Sequence, residues 1–290
     1  MDLNDQGESQ NVEDVRGSSG GFRPIHGVGL GSVAIALIAG WSLGINPLQI
    51  LGLMGGDGTS SMQAGPAESA PRPPAGDVQA VFVSKMLRST ETVWTAAFAE
   101  RGATYQDPEL RLFSDSYPTA CGEGAAAMGP FYCPKDRIVY LDLSFFDVMT
   151  DRLGAPGQFA HAYVIGHEVG HHVQNLLGVL GKVNAARERA GEAQSNALSV
   201  RLELQADCLA GVWATRSQRE HGWRLERGDI DSALNAASQI GDDTLQRRRQ
   251  GTVMPDSFTH GTSAQRVAWF RRGVDAGQIE ACDTFAREQR

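Results

Sequence analysis

The pattern His167-Glu168-x-x-His171, inside a largely apolar run from residue 160 to 177, constrains the fold more than any other feature of the chain. Residues four apart on an α-helix share one face, so both imidazoles can reach one metal ion. Glu168 follows the first histidine and lies beside that face, where it can accept a proton from a metal-bound water. The alternative is a helix whose polar face carries these residues and binds no metal.

A second pair of acids, Glu203 and Asp207, again lies four residues apart on a predicted helix. A catalytic zinc site with two histidines takes a third protein ligand and leaves its fourth position to water. Glu203 is the predicted third ligand, and Asp207 is predicted to accept the second ring N–H of a zinc-bound histidine. A solvated acidic edge is the alternative. The flanking residues are too apolar for a wholly exposed helix: Leu202, Leu204, Ala206, Leu209, Ala210, Val212 and Trp213. The two motifs together favour a zinc hydrolase.

Four segments carry a resemblance to a known family: HEVGHHVQ, ELQADCLAG, CGEGAAAMGPFYCPKDRIVYLDLSFF and DSFTHGTSAQR. With a short charged N-terminus before a single apolar span, they resemble the bacterial membrane-anchored "putative neutral zinc metallopeptidases". More broadly, the arrangement is similar to the thermolysin-like group of HExxH peptidases, in which a glutamate is the third ligand. The resemblance implies a zincin-like peptidase fold and a peptide or protein substrate.

This type of enzyme uses a histidine or tyrosine to stabilise the oxyanion, and the resemblance makes His260 a candidate for that role. His260 lies in a short polar loop before a predicted capped helix. Capping of that helix is the alternative role, and Tyr140 or Tyr163 could serve as the donor instead. His161, His172 and His221 are predicted to be structural or surface residues (His172 because it lies about 140° around the helix from the first ligand).

The predicted mechanism follows from these roles. Zinc held by His167, His171 and Glu203 lowers the pKa of a bound water toward neutrality. Glu168 takes the proton, the hydroxide attacks a peptide carbonyl, and Glu168 passes the proton to the leaving amine. A zinc-stabilised binding or scaffold module and a cell-wall amidase are the alternatives. Glu168 favours an enzyme, since a purely structural zinc has no use for a base at that position.

The N-terminal quarter of the chain predicts a membrane anchor. Residues 1–26 are polar and are expected to be flexible. Residues 27–54 contain no charged side chain and are long enough to span a bilayer as a helix, although a cleaved signal peptide is the rival interpretation. Arg16 and Arg23 on the N-terminal flank predict a cytoplasmic N-terminus and an extracytoplasmic catalytic domain in the cell envelope.

Residues 55–76 predict a Gly/Ser- and Pro-rich linker, and residues 77–290 a single zinc metallopeptidase domain. Asp77 is the predicted N-cap of a long first helix. Residues 131–141 predict a hairpin. In the thermolysin-like enzymes that the chain resembles, a strand edge pairs with the substrate backbone, and this hairpin is the candidate for that edge, with a purely structural sheet as the alternative. The predicted fold class is therefore α+β, mostly helical with a small antiparallel sheet, after one N-terminal transmembrane helix.

Four cysteines occur in the chain, and none has a C-x-x-C spacing. Outside the cytoplasm an even count suits two disulfides, and we expect Cys121–Cys133 and Cys208–Cys282 with the local pair chosen first. Two other connectivities are formally possible, and buried free thiols are the alternative. The net charge of −8 argues against a nucleic-acid partner. The oligomeric state is left open.

Overall fold

The computed structural model describes Leu3 and residues 7–17, 71–74, 76–126, 129–220 and 225–286. The helices in this part of the chain are α1 (Val78–Ala99), α2 (Ser144–Asp151), α3 (Gln158–Leu176), α4 (Val179–Arg187), α5 (Glu192–Glu220), α6 (Asp229–Gln239), α7 (Asp242–Gln250) and α8 (Ser263–Ala276). The strands are β1 (Val12–Asp14), β2 (Glu109–Leu112), β3 (Ser116–Thr119), β4 (Gly122–Ala125), β5 (Phe131–Cys133) and β6 (Ile138–Leu141). Short 3₁₀ turns occur at Pro255–Ser257 and Ile279–Cys282. The predicted α+β class, mostly helical with a small sheet, is confirmed.

The main sheet has four strands in the order β1-β2-β6-β5. β5 and β6 form the predicted antiparallel hairpin, but β1–β2 and β2–β6 are parallel pairs. Strands β3 and β4 form a separate antiparallel pair. The prediction of an antiparallel sheet is therefore wrong for the main sheet, which is mixed. Parallel neighbours are joined by long connections, and the local turn signals that reveal hairpins do not reveal them.

The N-terminal arm, which we define as residues 7–17, belongs to the folded domain. Its strand β1 pairs with β2, and Val12 in that strand is only 3% exposed. Ser9 and Asn11 hydrogen-bond to the carboxylate of Glu91 on α1, which is itself buried. The prediction of a flexible N-terminus is wrong for this arm, because backbone pairing and a buried carboxylate hold it in place.

The two chain segments that flank residues 18–70 lie side by side. The backbone N–H of Asp14 donates to the carbonyl of Pro71 at 2.8 Å, and Arg16 pairs with Asp77 at 2.7 Å. Asp77 is also the predicted N-cap of α1. The predicted transmembrane helix at 27–54 and most of the predicted linker lie outside the described residues. Among the residues described, no helix is both long enough and apolar enough to span a bilayer.

Two close helix crossings bring the predicted ligand motifs together. Helix α5 packs against α3 on one side and against α8 on another. At the first crossing, a Cβ on Gly170 would lie 3.0 Å from the carbonyl oxygen of Ala206. At the second, a Cβ on Gly273 would lie 1.9 Å from the carbonyl oxygen of Cys208. Glycine at both positions lets the backbones approach closely, so the polar faces of α3 and α5 meet.

Both predicted disulfides are confirmed. Cys121–Cys133 connects the turn before β4 to β5, and Cys208–Cys282 connects α5 to the C-terminal 3₁₀ turn. The predicted capping box at the start of α8 is present, with Thr262 and Gln265 exchanging hydrogen bonds. The Cys208–Cys282 disulfide holds the C-terminal 3₁₀ turn against α5, the helix that carries Glu203 and Asp207.

Candidate metal centre

His167 and His171 on α3 meet Glu203 on α5. Glu203 Oε2 lies 3.1 Å from His167 Nε2, and Glu203 Oε1 lies 3.5 Å from His171 Nε2. One ligand atom from each of the three residues lies within 4.8 Å of the others. A tetrahedral zinc with bonds of about 2.0–2.1 Å separates its ligand atoms by about 3.3 Å. The predicted ligand set therefore fits a zinc ion in both donor type and spacing.

A buried charged cluster lies behind His167. Asp207 is fully buried, and its Oδ1 is 2.8 Å from His167 Nδ1, as the sequence predicts. The guanidinium of Arg266 donates from Nε and Nη2 to the two carboxylate oxygens of Asp207 at 2.8 and 2.9 Å. The hydroxyl of Tyr163 also donates to Asp207. Asp207 therefore accepts a hydrogen bond from Nδ1–H of His167, and Nε2 is the ring nitrogen that faces the candidate metal position.

His171 has a different partner behind it, the neutral amide of Gln174. Gln174 Oε1 lies 2.8 Å from His171 Nδ1. Sequence reasoning missed both Gln174 and Arg266. The signal for Gln174 in the sequence was an amide side chain three residues after His171, which places it on the face of α3 that carries the ligands. For Arg266 it was a cation one residue after the capping box of α8.

Burial and charge together set the protonation of the site without a metal. Burial lowers the pKa of His167, but the charge of Asp207 and the hydrogen bonds to Asp207 and Glu203 together outweigh burial and raise the pKa to about 10. Burial raises the pKa of Asp207, while the charges and hydrogen bonds of Arg266 and His167 together bring it down to about 2. The pKa of Glu203 is well below its ordinary value, because the two histidines outweigh the effect of burial. Both acids are therefore ionised, as metal binding and its support require.

Glu168 lies on α3 directly after the first ligand and is 8% exposed. Burial raises its pKa, and the charges of His167 and His171 act in the opposite direction. A carboxyl group with a raised pKa beside a metal site is suited to receive and return a proton near neutral pH. The position predicted for the general base is therefore inside the candidate site.

His260 lies in the loop before α8, and this loop packs against α5. The Gly261 position approaches Val200 and Leu204, the residue that follows the third ligand. Asp242 accepts hydrogen bonds from the backbone N–H groups of residues 259–261, and its Oδ1 is 3.2 Å from His260 Nδ1. The pKa of His260 is raised, because the hydrogen bond to Asp242 and the charges of Glu203 and Asp242 together outweigh desolvation. Its side chain keeps 41% of its surface exposed. Asp242 is a further residue that the sequence did not single out.

The other residues weighed as donors or ligands have different partners. Tyr163 is engaged with Asp207, and the hydroxyl of Tyr140 donates to Asp136 at 2.9 Å. His172 is buried between Tyr132 and a backbone carbonyl, as expected for a structural residue. The ring of His161 stacks on Phe146 at 4.2 Å between centroids. His221 lies outside the described residues.

Comparison with known proteins agrees with this geometry. The family model described as "Putative neutral zinc metallopeptidase" matches residues 1–285. The chain is similar to Uncharacterized protein YpfJ of Escherichia coli (strain K12), with 50% identity over 288 residues and 97% of each chain covered. It is also similar to Uncharacterized protein Mb2605 of Mycobacterium bovis and Uncharacterized protein Rv2575 of Mycobacterium tuberculosis. Each is 44% identical over 191 residues, which is 63% of this chain and 64% of theirs. No solved structure matches the chain.

Proposed function

The chain belongs to the putative neutral zinc metallopeptidase family, and from that premise we propose that it hydrolyses peptide bonds in peptide or protein substrates. One observation carries the proposal. Two histidines from one helix and a glutamate from another converge within 4.8 Å, with Glu168 next to them on the first helix. A site that serves structure alone closes its fourth position with a protein ligand and has no use for a neighbouring base.

His167, His171 and Glu203 would hold the metal, and Asp207 and Gln174 would fix the rings of the two histidines. When bound, zinc supplies Lewis acidity, which lowers the pKa of a water and polarises a carbonyl. The protein's own part is to keep both Nε2 atoms and the carboxylate directed at one point.

Glu168 is the proposed general base. It accepts the proton of the attacking water and passes it to the amine that leaves when the C–N bond breaks. His260 is the proposed oxyanion donor. Its Nδ1–H is directed at Asp242, and its raised pKa favours the imidazolium form, which offers a second N–H at Nε2. That N–H can stabilise negative charge on the former carbonyl oxygen.

Strand β5 is the proposed site of substrate pairing. It is the outermost strand of the main sheet on the side opposite β1. Tyr132 in this strand accepts a hydrogen bond from Asn175 of α3 at 2.9 Å, so the strand runs against the helix of the two histidines. An extended peptide can add to a free sheet edge through main-chain hydrogen bonds. This arrangement supports a substrate backbone held beside α3.

Comparing zinc-loaded wild type with Glu168→Gln tests the proposal. The full-length chain is incubated with a complex peptide library, and Glu192→Gln, an exposed change on α5, is the matched control. We expect Glu168→Gln to keep its zinc and to cleave about 10²–10⁴ times more slowly, while Glu192→Gln cleaves like wild type. Equal cleavage by Glu168→Gln with zinc bound would contradict the role of the base. No cleavage by wild type across the library would favour a scaffold.

Membrane anchoring and an extracytoplasmic domain are a separate part of the proposal. The uncharged stretch 27–54 supports an anchor in the lipid bilayer. The two disulfides support an oxidising compartment for the domain, because cytoplasmic proteins rarely keep such bonds. Because the N-terminal arm pairs with β2 in one sheet, this anchor cannot be a single crossing of the bilayer within one chain, and both of its flanks are proposed to lie on the side of the domain.

A further inference from the structure

The amide of Gln174 has a single possible orientation, although it is neutral. Its Nε2 donates to the backbone carbonyl of Leu202 at 2.7 Å and to Gln205 Oε1 at 3.1 Å. A backbone carbonyl can only accept a hydrogen bond, so Nε2 must face Leu202 and Oε1 must face His171. Because Oε1 can only accept, Nδ1 of His171 carries the proton. In the neutral ring, Nε2 of His171 is then the nitrogen that can bind a metal, and it is the one that faces Glu203.

Gln205 is oriented by the same reasoning. Its Nε2 donates to the backbone carbonyl of Cys282 at 2.9 Å, which leaves its Oε1 to accept from Gln174. Gln174 is fully buried and Gln205 is 8% exposed, so water does not compete freely for either amide. Two backbone carbonyls, that of Leu202 on α5 and that of Cys282 in the C-terminal segment, therefore set the direction of each hydrogen bond made by the amides of Gln174 and Gln205.

The carbonyl of Cys282, where this series of hydrogen bonds ends, is itself held firmly. Cys282 is joined to Cys208 on α5 by a disulfide. Two residues later, the hydroxyl of Thr284 donates to the carbonyl of Arg201 at 2.7 Å. These bonds fix the carbonyl of Cys282 against the helix that carries Glu203, so it is a rigid end point for the amide chain.

We propose that Gln174 and Gln205 are positioning residues that hold His171 in the tautomer competent for metal binding and connect the site to the C-terminal segment 279–286. This inference rests on the proposed metal-binding role of His171. The two metal-facing histidines are then supported differently. His167 is backed by the charged pair of Asp207 and Arg266, whereas His171 is backed by neutral amides that add no charge.

The test measures zinc affinity in chelator-buffered solution and the absorption spectrum of the Co²⁺-loaded protein, and it uses no peptidase assay. Gln174→Met and Gln205→Met keep side-chain length and remove the hydrogen bonds. Asn196→Leu is the matched control, because Asn196 also lies on α5 and donates from its amide to a backbone carbonyl, that of Asp256, at 2.9 Å. Within the described part of the chain, this hydrogen bond of Asn196 involves no metal-facing residue.

We expect Gln174→Met to lower zinc affinity by about 10–100-fold, in the range of changes to groups that orient metal ligands. Gln205→Met should lower it less, with a shifted Co²⁺ spectrum in both variants and an unchanged spectrum in Asn196→Leu. If Gln174→Met does not fold, the affinity and spectrum of Gln205→Met decide the matter. If the folded variants bind zinc as tightly as wild type and give the same Co²⁺ spectrum, the positioning role of Gln174 and Gln205 is overturned, whatever stability they lose. The proposed function would not be affected by that result. Wild type that binds no zinc would overturn both the positioning role and the proposed function.

Discussion

Replacing Asp207 by asparagine should affect stability and metal binding together. Oδ2 of Asp207 accepts a hydrogen bond from Nε of Arg266, and Oδ1 accepts from Nη2 of Arg266, from His167 and from Tyr163. An amide offers one accepting oxygen and one donating nitrogen, so its nitrogen faces a donor of Arg266 in either orientation, and also faces His167 if it takes the Oδ1 position. The variant also removes the charge that balances Arg266, which is 3% exposed.

The expected magnitudes follow from this burial. Removing one partner of a buried ion pair costs about 3–5 kcal/mol, because the other charge stays buried and uncompensated. We therefore expect the free energy of unfolding of the metal-free Asp207→Asn protein to fall by about that amount. Zinc affinity should fall by about 10–100-fold, because Nδ1 of His167 loses its charged acceptor. Denaturant unfolding with chelator present and zinc titration at low denaturant measure the two effects separately.

The double variant Asp207→Asn with Arg266→Met is the control. Contacting residues are rarely additive, and coupling energies of about 0.5–3 kcal/mol are usual. The double variant should lose less free energy of unfolding than the sum of the losses of the two single variants, because neither charge of the pair is left buried without its partner. Its zinc affinity should stay low, since His167 still lacks a carboxylate. Strictly additive stabilities, or an unfolding midpoint of Asp207→Asn equal to that of wild type, would refute the reasoning.

Three further predictions concern the ligands, the His260 loop and the N-terminal arm. His171→Ala and Glu203→Ala should each lose most bound zinc by metal analysis, and unchanged stoichiometry in both would contradict the site. Burial raises the pKa of Asp242, but hydrogen bonds from His260 and from the loop backbone hold it below its ordinary value. The melting temperature of Asp242→Asn should therefore lie below that of wild type at pH 7, and the gap between the two should shrink as the pH falls below about 4. A gap that does not change with pH would contradict this role of the Asp242 carboxylate. Deleting the N-terminal arm should lower the denaturation midpoint, because a buried carboxylate loses two donors, and an unchanged midpoint would show that the arm is dispensable.

Local spacing predicted the parts of the site that share a helix. His167 and His171 are four residues apart, and so are Glu203 and Asp207, so helical geometry alone places each pair on one face. The capping box of α8 could be predicted for the same reason, since its partners are three residues apart. The coordination preference of zinc then predicted that the two helices meet, because two histidines on one face need a third ligand and an acid on another helix can supply it.

Contacts between distant segments could not be predicted in this way. Arg266 reaches Asp207 only because a glycine at position 273 lets α8 approach α5 closely. Gln174 reads in sequence as an ordinary polar residue of an amphipathic helix, and its role depends on the carbonyl of Leu202 beneath it. The arm shows no apolar periodicity, and its strand is defined by pairing with β2, almost a hundred residues away in the chain.

The pairing of β1 with β2 also limits how the chain can meet a membrane. Residues 12–14 and 109–112 lie in one sheet, so in a single chain they must lie on one side of any bilayer. A single crossing by residues 27–54 would place β1 and β2 on opposite sides of the bilayer. The single-pass topology and this sheet therefore exclude each other within one chain. Since two disulfides favour an oxidising compartment for the domain, we expect an epitope tag before the arm and a reporter after residue 286 both to be extracytoplasmic. A cytoplasmic tag with an extracytoplasmic reporter would show that β1 does not pair with β2 of its own chain in the cell, and the predicted single-pass orientation would hold.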